Sequence, residues 1–246
     1  MDTLLLIILA TVADSLVALA GIFTLAFSRE TLKKVLFALV GFSAGALLAG
    51  AFFHLIAESL TEMPVDTVFT YVFAGFVLFF IIERFLHWHH CHKGECEVHT
   101  FSYMVLIGDA IHNFIDGLII AAGFTVSAGF GAVTTLLIIA HEVPQEIGNF
   151  GVLVHGGFGR GKALLYNLLA QATCILGGIF GFFMAQSAAG VAETLLPFAA
   201  GGFIYIAASD LIPELHREAD IRRAAGAFVF FLLGAGFMFW MKAALG

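Results

Sequence analysis

Long apolar runs, each about 20 residues or more, follow one another along the chain and are separated by short polar or Gly-rich breaks. The hydrocarbon core of a bilayer is about 30 Å thick, and an α-helix needs roughly 20 apolar residues to cross it. Eight runs reach this length and predict spans 1 to 8 at residues 3–27, 35–60, 67–87, 101–124, 131–155, 162–187, 191–213 and 223–245. No linker is long enough to separate a second domain. The sequence therefore predicts an all-α polytopic membrane protein with a single domain over residues 1–246.

Composition agrees with lipid as the solvent of this chain. Hydrophobic residues make up 61% of the sequence and charged residues only 12%, whereas soluble domains carry about 25% charged residues. The eleven Lys and Arg residues lie near helix ends and form no basic stripe, which argues against nucleic acid as a partner. The three cysteines are too few and too scattered for a disulfide framework.

The basic residues also predict an orientation. If both termini lie outside the membrane, ten of the eleven Lys and Arg residues fall in inward loops, and only Lys242 falls on the outer side. Inward loops of membrane proteins carry an excess of basic residues. This strong asymmetry supports both the orientation and the count of eight spans, since a missed span would mix the two sides.

A short internal similarity links span 2 to span 7. Residues 45–58 (GALLAGAFFHLIAE) align without gaps to residues 201–214 (GGFIYIAASDLIPE), and both segments begin with Gly and end in Leu-Ile-x-Glu. The first segment runs outward and the second inward. Such a pair indicates an inverted repeat, which is common in transporters that have a central binding site.

Spans 4 and 5 contain ionisable side chains, which are costly inside a bilayer and by default indicate a function. Both spans place polar groups at positions i, i+1 and i+4: His112, Asn113 and Asp116 in span 4, and His141, Glu142 and Gln145 in span 5, with Glu146 beside them. This spacing places the groups on one side of each helix. Hydrogen bonding between helices could explain one or two of these residues, but it does not explain seven at matched spacing.

Imidazole nitrogen together with carboxylate oxygen suits zinc and its neighbours in the first transition row. The carboxylates would offset the charge of a dication. Pro144 cannot donate a hydrogen bond to the carbonyl of Ala140, so we expect that oxygen to be freed near the site. Gly117 and Gly148 would let neighbouring helices approach closely.

Further polar residues lie at other positions of the predicted spans. An outer pair and an inner group could line a pathway for the ion: His54 and Glu58 in span 2, and Asp210, Glu214 and His216 in and just after span 7. Interfacial side chains can instead simply reach into water. Three more residues could complete the site or its pathway, or only pack helices together: Asn167 and Gln171 in span 6, and Asp109 one turn before His112.

The loop between spans 3 and 4, about residues 88–100, is rich in His and Cys. Its sequence suggests a cytoplasmic segment that captures metal through His89, His90, Cys91, His92, Cys96 and His99. The spacing fits no structural zinc site. The alternative is a solvated loop that is rich in His without a metal-binding role.

These motifs resemble those of the ZIP family of zinc and iron transporters. HNFIDG in span 4 and HEVPQE in span 5 look like the paired family motifs, and FHLIAE and SDLIPELH look like further family segments. The resemblance implies inverted repeats of spans 1–3 and 6–8 around spans 4 and 5. It also implies a first metal site and a second one that shares Asp116: His112, Asp116, His141 and Gln145 in the first, and Asn113 and Glu142 in the second, with Asn167 nearby. A homodimer and metal movement into the cytosol are further expectations of the resemblance.

Two positions depart from the pattern of that family. Gln145 stands where similar proteins have His or Glu, and Asn149 stands where Asp is common. A neutral amide is a weaker ligand and a poor bridge between two metals. Since the chain is close to a minimal transporter, we expect a protein of a bacterial inner membrane.

The sequence therefore predicts transport of a divalent transition metal into the cytoplasm by alternating access. Zinc is the first choice, and Fe²⁺, Mn²⁺ and Cd²⁺ suit the same ligands; the ion is substrate, and no resident cofactor is predicted. A proton or cation channel is one alternative, because carboxylates and His also build proton relays. An intramembrane metallohydrolase is another, because His141 and Glu142 begin like the HExxH helix, but Gln145 replaces its second His.

Overall fold

The computed structural model describes residues 2–25, 28–88, 98–187, 191–216 and 220–245, and every regular element within these ranges is helical. In chain order the elements are α1 (Thr3–Ser15) with a 3-10 segment (Leu16–Leu25), α2 (Arg29–Gly50), a π segment (Ala51–Ile56), α3 (Ala57–Glu62), α4 (Val65–Trp88), α5 (Val98–Val126), α6 (Ala128–His155), α7 (Arg160–Gln171), α8 (Thr173–Ser187), α9 (Val191–Ile206), a second π segment (Ala207–Leu211), α10 (Ile212–His216) and α11 (Ile221–Leu245). Elements that continue one another form eight helical segments in the described residues, at the positions of the eight predicted spans.

Seven of the described helical segments are long and apolar enough to cross a membrane. The exception is α6, which has 28 residues but is not among the seven. This helix carries His141, Glu142, Gln145, Glu146 and Asn149, and these polar side chains lower its mean hydropathy. The all-α polytopic architecture is therefore confirmed, whereas the count of eight crossings stays a prediction.

The boundaries of α5 and α6 show how the polar breaks work. The predicted break TVSAGFG contains one non-helical residue, Ser127, between Val126 and Ala128. Its hydroxyl accepts a hydrogen bond from the backbone N–H of Phe130 at 3.0 Å and so caps the start of α6. Because the turn is so short, α5 and α6 return antiparallel to each other and pack together.

The helices pack as an inverted repeat. Helix α2 packs most extensively against α11, and α4 packs most extensively against α9. In an inverted repeat, span 2 is equivalent to span 7 and span 3 to span 8. The packing of α2 (span 2) on α11 (span 8) is then equivalent to the packing of α9 (span 7) on α4 (span 3). The alignment of residues 45–58 with 201–214 also pairs the first π segment with the second, because both begin at the same aligned position. The irregular backbone therefore repeats together with the packing.

Glycines mark the closest approaches of both helix pairs. A Cβ atom on Gly45 would collide with the backbone oxygen of Phe231, and one on Gly234 with that of Phe42. In the other helix pair, α4 and α9, a Cβ atom on Gly201 would collide with the backbone oxygen of Val72. Small residues at such positions let membrane helices come together through their backbones.

We therefore expect Gly234→Ala to lower the midpoint of thermal unfolding in detergent clearly, by an effect equivalent to about 1–3 kcal/mol, because backbone atoms cannot move aside easily. Gly236→Ala on the same helix is the matched control, since a Cβ atom there meets nothing within 4 Å. Equal midpoints for the two variants would show that α2 and α11 do not approach each other this closely.

Candidate metal site

Four side chains from two adjacent helices converge at the centre of the bundle. The atoms His112 Nε2 and Asp116 Oδ2 come from α5, and His141 Nε2 and Glu142 Oε1 come from α6. One ligand atom from each of the four residues lies within 4.8 Å of the others, and this is the one such cluster of three or more His, Cys, Asp or Glu side chains found among the described residues.

The spacing of these atoms is that of a small coordination polyhedron. His141 Nε2 lies 3.2 Å from Asp116 Oδ2, from Glu142 Oε1 and from His112 Nε2. His112 Nε2 lies 3.2 Å from Glu142 Oε1 and 3.7 Å from Asp116 Oδ2. Ligands about 2.0–2.1 Å from a tetrahedral zinc ion are roughly 3.3–3.4 Å apart. Four of the six edges are therefore close to the length that a tetrahedral zinc site needs, and a fifth is a few tenths of an ångström longer.

Burial and charge both favour a cation at this point. The side chains of Asp116 and Glu142 are fully buried, and their oxygens face the imidazoles of His112 and His141 without any further hydrogen-bond partner. An uncompensated buried carboxylate is costly. The two carboxylates together balance the charge of a dication, and the two imidazoles add neutral nitrogen ligands. The donor set therefore fits Zn²⁺ or a similar ion as substrate.

A contact behind His141 orients its ring. The Nδ1 atom donates to the backbone carbonyl of Leu137 at 3.4 Å, since a carbonyl can only accept. This contact leaves Nε2 as the free nitrogen in the neutral ring, which is the usual arrangement behind a metal-bound imidazole. Aromatic rings cover the site on two sides, with Phe203 5.6 Å from the ring of His141 and Phe79 6.1 Å from that of His112.

The four side chains of the cluster differ in their exposure. The side chain of His112 is 14% exposed, whereas that of His141 is 1% exposed and the two carboxylates are fully buried. His112 is therefore the most accessible member of the cluster.

The remaining central residues point to other partners. The amide nitrogen of Gln145 donates to Asp109 Oδ1 at 3.2 Å. The amide of Asn113 donates to the backbone carbonyl of Asp109 at 3.0 Å. Asn167 donates to Glu146 Oε2 at 2.6 Å, so span 6 reaches the centre through Glu146. The arrangement of the first and second metal sites implied by the family resemblance stays a prediction.

Pro144 interrupts the hydrogen bonding of α6, as its sequence position predicts. The freed carbonyl of Ala140 accepts a hydrogen bond from the hydroxyl of Ser43 on α2. The oxygen is thus released from its own helix but satisfied by a neighbouring helix. Nothing in the sequence around Ser43 indicates this contact.

The two ends of the bundle differ. We call the end that contains Glu58 the α3 end, and the end that contains Glu214 the α10 end. On the way to the α3 end, His54 is buried, stacks on Phe130 with ring centroids 3.9 Å apart, and lies 3.3 Å from Thr134 Oγ1. His54 is therefore packed inside the bundle rather than exposed at the α3 end. The sequence indicates neither Phe130 nor Thr134.

Each end also holds a cavity. At the α3 end, Glu58, Glu62 and Glu193 line a cavity of about 400 Å³. At the α10 end, a cavity of about 670 Å³ has Glu214 in its wall and reaches Pro144 of α6. Three residues predicted for the inner pathway are all exposed at this end: Asp210, Glu214 and His216.

Asp14, which is isolated in the sequence, has a clear partner in the structure. Its side chain is fully buried and accepts a hydrogen bond from Gln171 Nε2 at 3.0 Å. Ser15 next to it donates to the backbone carbonyl of Gln171 at 3.3 Å. The contact ties α1 to α7, and it gives Gln171 a packing role that the sequence left open.

The predicted metal-capture loop lies outside the residues that the structure describes. His89, His90, Cys91, His92 and Cys96 fall in the gap at 89–97, and the side chain of His99 is likewise outside the described set. The prediction for this loop is therefore not tested.

A bundle of apolar helices with a buried His and carboxylate cluster defines an integral membrane protein that can hold a transition metal. Residues 88–242 match the sequence-family profile described as ZIP zinc transporter. With this match over more than half of its length, the chain belongs to the ZIP family, and the identification made from the motifs is confirmed.

Individual relatives show the same similarity. The chain is 30% identical over 244 residues to zinc transporter zipt-7.1 of Caenorhabditis briggsae, an alignment that covers 74% of this chain and 62% of that protein. It is 35% identical over 204 residues to zinc transporter ZIP13 of Pongo abelii, with 74% of this chain and 59% of the relative covered. The chain thus spans about three fifths of the length of these two relatives.

Proposed function

We propose that this protein transports a divalent transition metal across a membrane, with Zn²⁺ as its principal substrate. The observation that carries the proposal is the four-atom cluster of His112, Asp116, His141 and Glu142, whose edges have nearly the lengths of a tetrahedral zinc site. Relatives that are named zinc transporters support the same substrate. Fe²⁺, Mn²⁺ and Cd²⁺ remain candidates that use similar ligands.

The proposed route runs from the α3 end to the α10 end. With both termini outside, the α3 end faces outward and the α10 end faces the cytoplasm, where the basic residues concentrate. A metal ion passes Glu58 and His54, loses water, binds at the four-residue cluster and leaves past Asp210 and Glu214. The burial of His54 against Phe130 and the exposure of Asp210 and Glu214 at the α10 end support an inward-facing step of alternating access.

The oligomeric state and the kind of membrane are separate points. A homodimer is proposed from the family resemblance. The bacterial inner membrane stays an expectation of the sequence alone, and the relatives named above are animal proteins.

The test is zinc influx into proteoliposomes that contain a zinc-sensitive dye. We expect saturable influx with the wild type, and a rate reduced to near that of empty vesicles when His112 and His141 are both replaced by alanine, because two of four ligands are lost. Unfolding midpoints and orientation in the vesicles are measured for both proteins. Equal influx from two equally folded proteins would show that the transported ion does not bind at the cluster.

The same vesicles separate the alternatives. A proton or cation channel would give a large ion flux that does not depend on transition metal. The relatives named above are transporters rather than hydrolases, which disfavours the metallohydrolase. Gln145 also occupies the position of the second His that the HExxH helix requires.

A further inference from the structure

A second polar contact joins α5 and α6 next to the metal site. Asp109 on α5 is 5% exposed, and one oxygen of its carboxylate, Oδ1, accepts hydrogen bonds from two amides of α6. Gln145 Nε2 lies 3.2 Å and Asn149 Nδ2 lies 2.8 Å from this oxygen. Hydrogen bonds that involve an ionised group are stronger than those between neutral groups.

The contact is one helical turn away from the metal ligands on both helices. Asp109 precedes His112 by one turn of α5, and Gln145 follows His141 by one turn of α6. Since α5 contributes two of the four metal-binding atoms and α6 the other two, the shape of the site depends on how these helices are placed against each other. A small rotation or shift of α6 would change every distance between the two pairs of atoms.

The same contact determines what Gln145 can do. A carboxylate only accepts, so the group that faces Asp109 is the NH₂ of the amide. The metal would have to be bound by the amide oxygen. Asn149 donates to the same carboxylate oxygen from the next turn of α6 and so reinforces this orientation.

We propose that Asp109, Gln145 and Asn149 form a clamp that holds the metal-binding faces of α5 and α6 in register, and that Gln145 positions the site rather than binding the metal. This inference rests on the proposed function, because it assumes that the four-residue cluster binds the substrate. It also accounts for both positions at which the chain departs from the related motif: each is an amide that donates to Asp109.

Replacing Gln145 by Glu distinguishes the clamp from a ligand. If Gln145 binds the metal, a carboxylate at this position is a better ligand, and the affinity for zinc rises or stays the same. If Gln145 belongs to the clamp, Gln145→Glu places a second carboxylate against Asp109, and the affinity falls. Asp109→Asn in the same protein then supplies an amide donor to the new carboxylate and restores the contact with donor and acceptor exchanged.

The experiment compares the wild type, Asp109→Asn, Gln145→Glu and the double variant. Zinc affinity is measured by competition with a chelating dye, and site geometry by the visible spectrum of bound Co²⁺. We expect Gln145→Glu to weaken zinc binding about tenfold or more, with loss of the intense tetrahedral cobalt bands, and the double variant to recover most of both. Unchanged or tighter binding by Gln145→Glu, or a double variant no better than the single one, would overturn the clamp.

Thermal unfolding of the four metal-free proteins separates the clamp from the proposed function. The clamp predicts that the two substitutions compensate each other in the unfolding midpoint, whether or not metal binds. If the wild type binds no zinc, the proposed function fails, while the unfolding cycle still decides whether the contact exists. Additive midpoints would overturn the clamp, and coupled midpoints with an unchanged cobalt spectrum would reduce it to a packing contact without influence on the site.

Discussion

Replacing His112 and His141 together by alanine is expected to weaken zinc binding by the purified protein at least about a hundredfold, because two of the four ligands are lost at once. Both imidazole nitrogens lie within 3.2 Å of Glu142 Oε1 and of each other, so each is placed to bind the same ion. Their loss leaves two carboxylates, which suit Mg²⁺ or Ca²⁺ better than zinc. Titration with a chelating dye in competition measures the effect.

This experiment also distinguishes the central site from the His-rich loop. The double variant keeps every His and Cys of residues 88–100. If zinc still binds one equivalent with wild-type affinity, the tightly bound ion is held by the loop or elsewhere. A retained unfolding midpoint is needed to attribute a loss to the ligands themselves.

The second large effect concerns charge. We expect Asp116→Asn to weaken zinc binding at least about tenfold, because a single remaining carboxylate no longer balances a dication in a buried site. Asp14→Asn is a matched control: Asp14 is equally buried and also belongs to the centre of the bundle, but its carboxylate is bonded to Gln171 and is not in the cluster. Its effect on affinity should be clearly smaller than that of Asp116→Asn, because all four ligands of the cluster remain.

Affinities measured for both variants under the same conditions test this expectation. An equal loss from Asp14→Asn and Asp116→Asn would mean that the ion sits nearer to α1 than the four-residue cluster does. Influx in vesicles should follow the same order as the affinities, because the proposed site binds the transported ion.

The sequence predicts the architecture well because its signal is local. Each helical segment is an apolar run of the length a bilayer requires, and the polar breaks contain the residues that end and cap helices. The inverted repeat is visible in residues 45–58 and 201–214, and the structure extends it to paired π segments and paired glycine contacts. Helix α6 is the instructive exception, because the residues that build the site also weaken its apolar signal.

The site is predictable only in part. Helical spacing puts His112 with Asp116, and His141 beside Glu142, on the faces that meet. The side chains that meet at one point are determined by their rotamers and by the distance between the helices. The sequence of a single helix predicts neither of these. The spacing made Gln145 equivalent to Asp116, but the structure turns Gln145 towards Asp109.

Contacts between distant segments were not visible at all. Ser43 satisfies the carbonyl freed by Pro144, and Thr134 lies beside His54, without any local pattern that joins these residues. Asp14 looked isolated because its partner, Gln171, is far away in the sequence. Such pairs require the tertiary fold before they can be recognised.

The zinc-edge X-ray absorption spectrum of the wild-type protein with one equivalent of Zn²⁺ tests the central claim most directly. Four nitrogen and oxygen ligands at about 2.0 Å, including the outer-shell scattering of two imidazoles, are the predicted result. Sulfur ligands at about 2.3 Å, or six oxygen ligands without imidazole, would contradict it and place the bound ion away from His112, Asp116, His141 and Glu142.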